Sequence, residues 1–158
     1  MEVVEERFTF GTTALVVVRP EHVGDMIDEA RFATDEYMPY WAEIWPAGVE
    51  LARHVAGLDP VVLAGLDVLE LGCGLGLPAL VAALRGARVT ATDWSPEAIE
   101  ALRENAARNR VEIEARIHDW RDPDALGGAR FDLVLAADVL YEERNAVPLL
   151  ATIDAARA

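Results

Sequence analysis

The stretch that most constrains this chain is Val68-Leu69-Glu70-Leu71-Gly72-Cys73-Gly74-Leu75-Gly76-Leu77. The apolar run from Leu66 to Leu71 reads as a short buried strand. It breaks into glycines at three alternate positions, and a helix-forming run from Pro78 to Leu84 follows at once. Strand, glycine turn and helix in that order predict a parallel βαβ crossover of the nucleotide-binding kind. Glycines tolerate backbone angles that side chains resist, and they let a ligand lie against bare main chain. The new helix should present free N–H groups and the positive end of its dipole. Glu70, at the strand's end, should face the same crevice. The dinucleotide fingerprint G-x-G-x-x-G needs a third glycine where Leu77 stands, so a nicotinamide cofactor is disfavoured.

The residues after the turn continue the alternation of helix and strand. Gly86 suits a helix C-cap. Arg88 to Asp93 reads as a second strand, and Asp93 lies 19 residues beyond Gly74 (93 − 74). An acid at that place accepts hydrogen bonds from ribose hydroxyls. Ser95 and Pro96 supply the cap and first turn of the next helix, which leaves Asp93 free for that work. Glu97 to Arg108 places Ile99, Leu102 and Ala106 on one helical face. Val111, Ile113, Ala115 and Ile117 alternate as a third strand leading into His118-Asp119-Trp120, with Asp119 expected at the adenine end of the crevice. Arg121 to Ala129 reads as a polar loop. Phe131 to Ala137 is a fourth strand with Asp138 and Tyr141 at its C-terminal end, where open α/β sheets place their chemistry. From Glu142 onward, Val147, Leu149, Leu150 and Ile153 mark a helix.

Before the turn, residues 7–18 read as a β-hairpin around Gly11-Thr12-Thr13. Val23, Met26, Ile27 and Ala30 suggest a short helix within Glu21 to Ala33. Tyr37, Tyr40, Trp41 and Trp45 crowd into nine residues. Aromatic faces there pack in the core, or wall the crevice and meet adenine or a sulfonium cation. Pro46 opens a helix whose apolar face is Leu51, Ala52 and Val55.

Composition narrows the class. The chain has 158 residues, 53% of them hydrophobic, which suits one domain with a real core. We expect a single domain over 1–158, with a hairpin and helix extension at 1–36 and a cofactor-binding core at 37–158. No apolar run reaches the roughly 20 residues that span a bilayer, and the acidic start is unlike a signal peptide. One cysteine, Cys73, fits a reducing cytoplasm. The net charge is −14, without a Lys/Arg cluster, which disfavours nucleic acid and suits a cationic partner such as a lysine-bearing protein. His22, His54 and His118 lack metal-ligand spacing, so no metal is assigned.

Glu70 to Gly76, followed by Asp93, resembles the first motifs of the class I S-adenosylmethionine-dependent methyltransferases. Tyr40-Trp41-Ala42-Glu43-Ile44-Trp45-Pro46-Ala47-Gly48, then Leu51-Ala52-Arg53, is similar to the W-P-x-G-x-x-L-A segment of one branch. That branch is the seven-β-strand protein-lysine methyltransferases that include the enzyme acting on the electron-transfer-flavoprotein β-subunit. Asp138-Val139-Leu140-Tyr141 matches its D-x-x-Y signature. The resemblance implies an α/β, Rossmann-like, doubly wound and mostly parallel sheet, and S-adenosyl-L-methionine as cofactor. Glu70, Gly72, Gly74 and Gly76 would hold its methionine end, Asp93 the ribose with Trp94 beside it, and Asp119 and Trp120 the adenine. Trp45 would line the pocket and Ala137 would contribute backbone. Asp138 and Tyr141 would be the catalytic residues, shaping the channel for a substrate amine, with Asp138 orienting the amine rather than acting as a strong base. Val139 and Leu140 stand where nucleic-acid amino-methyltransferases carry two prolines. The family's remaining strands have no counterpart after Ala158. The fourth strand is therefore expected at an open sheet edge, in an incomplete chain or one completed by another copy or partner. Small-molecule N- or O-methylation, or cofactor binding without turnover, are the alternatives.

Overall fold

The computed structural model describes residues 2–27 and 38–158, together with Ala30 and Ala33. Six strands form two sheets. β1 (Val3–Phe10) and β2 (Thr13–Pro20) pair antiparallel from Val3↔Pro20 to Phe10↔Thr13, longer at both ends than the hairpin read from the sequence. Gly11-Thr12 turns the chain. The other four strands are parallel, in the order β5-β4-β3-β6. They are β3 (Asp67–Leu71), β4 (Arg88–Asp93), β5 (Ile113–Ile117) and β6 (Leu133–Ala136).

Helices cover both faces, as the long connections between parallel strands require. α1 (Pro46–Gly57), the one-turn α2 (Pro60–Leu63), α3 (Leu77–Leu84) and α4 (Pro96–Arg108) precede or link the first three strands of this sheet. α5 (Ala146–Ala156) follows β6. The alternation along β3 divides the core. Val68 belongs to the cluster formed with α1, α3, α4 and β2. Leu69 and Leu71 belong to the opposite one, with Phe131, Val139 and Leu149. Residues Leu77 to Ala82 of α3 are all buried, so this helix lies inside the protein rather than on it.

Three expectations change. Val23–Met26 forms only a 3₁₀ turn, and residues 28, 29, 31 and 32 of the short helix expected within Glu21 to Ala33 lie outside the described residues. The polar loop after Trp120 contains a 3₁₀ turn, Pro123–Leu126, whose Leu126 is buried on the α5 side. Ile117 does not continue the buried face of Ala115; it lies 60% exposed at the end of the outer strand. β6 ends the sheet order, and beside it Phe131 makes one parallel bridge with Arg157.

The hairpin docks through amide chemistry. Asn105 and Asn109 lie one turn apart on α4, so their side chains share a face. Asn105 Oδ1 accepts the Val18 N–H at 2.8 Å and its Nδ2 donates to the Val18 carbonyl at 3.2 Å. Asn109 repeats this at Val16, accepting the N–H at 2.8 Å and donating to the carbonyl at 2.6 Å. Two side-chain amides thus stand in for a third strand along β2. Asn105 Nδ2 also reaches the Leu75 carbonyl at 3.5 Å, linking the hairpin to the glycine turn. Asn105→Leu should lower stability by about 2–4 kcal/mol, since each buried group left unpaired costs roughly 1–3 kcal/mol. Urea unfolding measures the loss, and amide exchange should accelerate first at Val18.

Candidate functional site

A crevice opens at the C-terminal ends of β3, β4 and β6, where the chain order of the sheet reverses and open α/β sheets bind ligands. Trp45, Glu70, Gly72, Gly74, Gly76, Asp93, Trp94, Trp120, Ala137, Asp138 and Tyr141 all line it. Asp119 does not. Its carboxylate is held by the Arg121 guanidinium and accepts the Arg121 N–H at 3.0 Å, and that guanidinium keeps its pKa below the ordinary value. The charge expected at the adenine end is therefore engaged outside the lining, while its neighbour Trp120 faces in.

The glycine turn departs from expectation in an instructive way. Gly72, Gly74 and Gly76 all have positive φ, which a side chain would strain. The space their missing side chains leave is filled by protein. A Cβ on Gly76 would stand 2.2 Å from Leu102 Cδ1, and one on Gly72 would stand 2.7 Å from Val139 Cγ1. On Gly74 it would meet the Trp41 carbonyl at 3.1 Å. Three of the turn's N–H groups are engaged as well: Cys73 donates to Thr92, Gly76 to Cys73, and Gly74 to Asp93 Oδ2 at 2.9 Å. At the helix terminus expected to be free, one N–H is taken, because Glu70 Oε2 accepts the Ala79 N–H at 2.8 Å in the first turn of α3. By contrast, a Cβ on Gly48 would meet nothing within 4 Å, and Gly48 lines the crevice.

Asp93 is not idle either. Its two oxygens take the N–H groups of Gly74 and, at 3.0 Å, Ser95. Ser95 caps α4 by accepting the Ala98 N–H, as the sequence predicts. One carboxylate thus ties the turn after β3 to the turn after β4. Burial raises its pKa, opposed by those backbone donors. Burial pushes Glu70 further, to about 8, against the Ala79 N–H and with the nearby Asp93 charge adding to the rise. Burial also raises the Cys73 thiol, which therefore stays protonated.

Across the crevice, Asp138 sits in a left-handed conformation (φ 55°) rarely adopted outside glycine. Its Oδ2 accepts the Gly48 N–H at 3.1 Å, so the first turn of α1 holds the acid that follows β6. Tyr40 stacks edge-to-face on Tyr141 (centroids 5.2 Å) and on Trp45 (6.1 Å). The Trp45 indole N–H donates to the Tyr40 carbonyl at 2.9 Å. The crevice mouth is thus a ring of aromatics joining two segments about 100 residues apart. Of the lining residues, Glu43 and Gly48 carried no role in the sequence reading. Their position inside the aromatic segment was visible, but not the direction each faces.

Among the described residues, the crevice is lined by Glu43, Glu70, Asp93 and Asp138 and by no Lys, Arg or His. It fits a ligand that carries positive charge beside a flat apolar ring.

A parallel sheet in this order, with a glycine turn after β3 and acids at the strand tips, is the fold of the class I methyltransferases. It superposes on the T. thermophilus 16S rRNA N2 G1207 methyltransferase (RsmC) with TM-score 0.63 and 21% identity, over 85% of this chain and 32% of that one. The sequence profile described as Lysine methyltransferase matches residues 31–157, and the chain belongs to that family. The electron transfer flavoprotein beta subunit lysine methyltransferase of Danio rerio is 40% identical over 66% of this chain and 40% of its own length. Protein N-lysine methyltransferase METTL21A of Mus musculus is 36% identical over 71% of this chain and 53% of its own length. The chain thus spans about half the length of these curated relatives, or less.

The Glu70 shift sets a pH dependence. Its folded pKa of about 8 lies above the ordinary 4.5, so the folded state holds a proton that the unfolded chain releases. Glu70 therefore stabilises the fold below pH 4.5, and that contribution is lost as pH rises toward 8. Glu70→Gln should flatten this decline by a few kcal/mol, at about 1.4 kcal/mol per pKa unit. Urea midpoints of both proteins at pH 5 and pH 8.5 measure it.

Proposed function

We propose that this chain binds S-adenosyl-L-methionine and transfers its methyl group to the amine of a protein lysine side chain. The observation that carries the reading is the acidity of the crevice: four carboxyl groups, of which Glu70 is held largely protonated by burial, and three rim aromatics, with no Lys, Arg or His among the described lining residues. Such a lining suits a sulfonium and an amine, and repels the carboxylate or phosphate groups of anionic acceptors. The family and the names of the two relatives support the same acceptor.

When bound, the cofactor supplies a methyl group already activated by its sulfonium. Trp94 and Trp120 offer flat faces for the adenine, and Asp93 keeps lone pairs for the ribose hydroxyls beyond the two N–H groups it already accepts. Asp138 and Tyr141 stand at the mouth. The lysine amine would have to be uncharged to accept the methyl group, so its ammonium proton has to pass first to bulk water at the crevice mouth. The carboxylate of Asp138, fixed by the Gly48 N–H, can orient the remaining N–H bonds and keep the lone pair in line. Burial raises the Tyr141 phenol, which stays protonated and able to donate.

Asp93→Ala should abolish cofactor binding in calorimetric titration while the protein still unfolds cooperatively. Asp138→Ala should keep the affinity and lose transfer by about 10²-fold or more. Transfer is read with methyl-labelled cofactor and a cell extract, followed by hydrolysis of labelled protein to methyl-lysine. Label in a small molecule would favour the alternative acceptor; binding with no transfer would favour a module without turnover.

A further inference from the structure

We propose that Glu43 selects a cationic acceptor, holding the ammonium of the incoming lysine at the crevice mouth before it loses its proton. This rests on the reading above and names a residue within it. The four lining acids are not alike. Glu70 accepts a helix N–H, Asp93 accepts two turn N–H groups, and Asp138 accepts the Gly48 N–H. Glu43 is the exception: among the described residues its carboxylate has no hydrogen-bond or ion-pair partner. It is exposed, yet it lies in the lining rather than on the convex surface.

Its backbone is fixed. The Glu43 N–H and the Trp45 indole N–H both donate to the Tyr40 carbonyl, at 3.3 and 2.9 Å, closing residues 40–45 into a tight loop. The loop carries Glu43 between the two aromatics, Tyr40 and Trp45, that flank the mouth, and Tyr40 reaches Tyr141 on the far side. An acid held beside aromatic edges and faces is the arrangement that recognises alkylammonium groups. The location also separates two demands. A carboxylate favours the charged amine, which cannot attack, so such an acid assists capture and hinders chemistry if it sits at the reacting atom. An exposed acid at the rim attracts the cation and leaves the inner crevice for the neutral amine.

The probes are Nα-acetyl-lysine amide and its neutral counterpart of equal side-chain length, the amide of Nα-acetyl-2-aminoheptanoic acid, titrated by NMR into protein saturated with S-adenosylhomocysteine. The wild-type protein should prefer the lysine probe, and Glu43→Gln should lose about two- to fivefold of that preference, the scale of an exposed ion pair. Raising salt from 0.05 to about 0.5 M should erode the preference more steeply in wild type than in the variant. Glu104→Gln, which removes the same charge from the outer face of α4, should behave as wild type. An unaltered preference in Glu43→Gln, an equal loss in Glu104→Gln, or no preference in wild type overturns the assignment. A fall in S-adenosylhomocysteine affinity in Glu43→Gln also overturns it, because Glu43 would then serve the cofactor. If wild type does not bind S-adenosylhomocysteine, the methyltransferase reading itself fails; if it binds and the lysine preference is missing, only the role of Glu43 fails.

Discussion

The rest of the site depends on one carboxylate. Asp93 ends β4 almost fully buried, and each of its oxygens takes a backbone N–H from a different turn. Without those donors the charge would be costly to bury, and without the charge two turns would carry unpaired N–H groups. The arrangement fixes the distance between the ends of β3 and β4, which is the width of the crevice floor. Glu70 repeats the device one strand over, accepting a helix N–H from within the same core. Three of the N–H groups that a sequence suggests are open to a ligand are thus already taken by the protein's own acids, which leaves the remaining lone pairs and the aromatic faces for binding.

This places cofactor affinity and fold stability in competition for the same protons. A buried Glu70 with a pKa of about 8 is substantially protonated at neutral pH. A cation entering the crevice favours its ionised form, so binding is accompanied by proton release and strengthens with rising pH over the range in which the unliganded fold weakens. In the proposed reaction the sulfonium would become a neutral thioether, so an acidic crevice would hold the cofactor more firmly than its product.

Much of this was legible in the sequence, and the boundary of what was legible has a physical basis. Glu70, the three glycines and Asp93 are set by local geometry: a strand end, a turn and the tip of the next strand in a unit of fixed length. The parallel βαβ crossover followed from the same periodicities, and the doubly wound fold class from the resemblance to the class I methyltransferases. What escaped depends on contacts between distant residues. Asn105 lies inside the helix read from the sequence and Asn109 just beyond it, and only their meeting with residues 87 and 93 positions earlier gives them work. Gly48 and Asp138 are 90 residues apart. Asp119 lies outside the crevice lining for a local reason: an arginine two residues on pairs with its carboxylate, and nothing in the spacing distinguishes a carboxylate that faces the crevice from one that turns to a neighbour.

The glycines illustrate why a correct motif can be correct for a different reason. Their positive φ angles are as expected, yet the atoms packed over them belong to Leu102, Val139, Trp120 and Trp41. These come from α4, from the segment after β6, from the segment after β5 and from the aromatic loop. The turn is therefore the point where all walls of the crevice meet, and a side chain there would push the walls apart rather than merely obstruct a ligand. Gly48 is the converse case, with neither strain nor contact to require it, so the space beside it is left to whatever enters the crevice. The three turn glycines therefore line the crevice and at the same time let its other walls close over them, so the pattern that announces the binding site also holds the surrounding side chains in place.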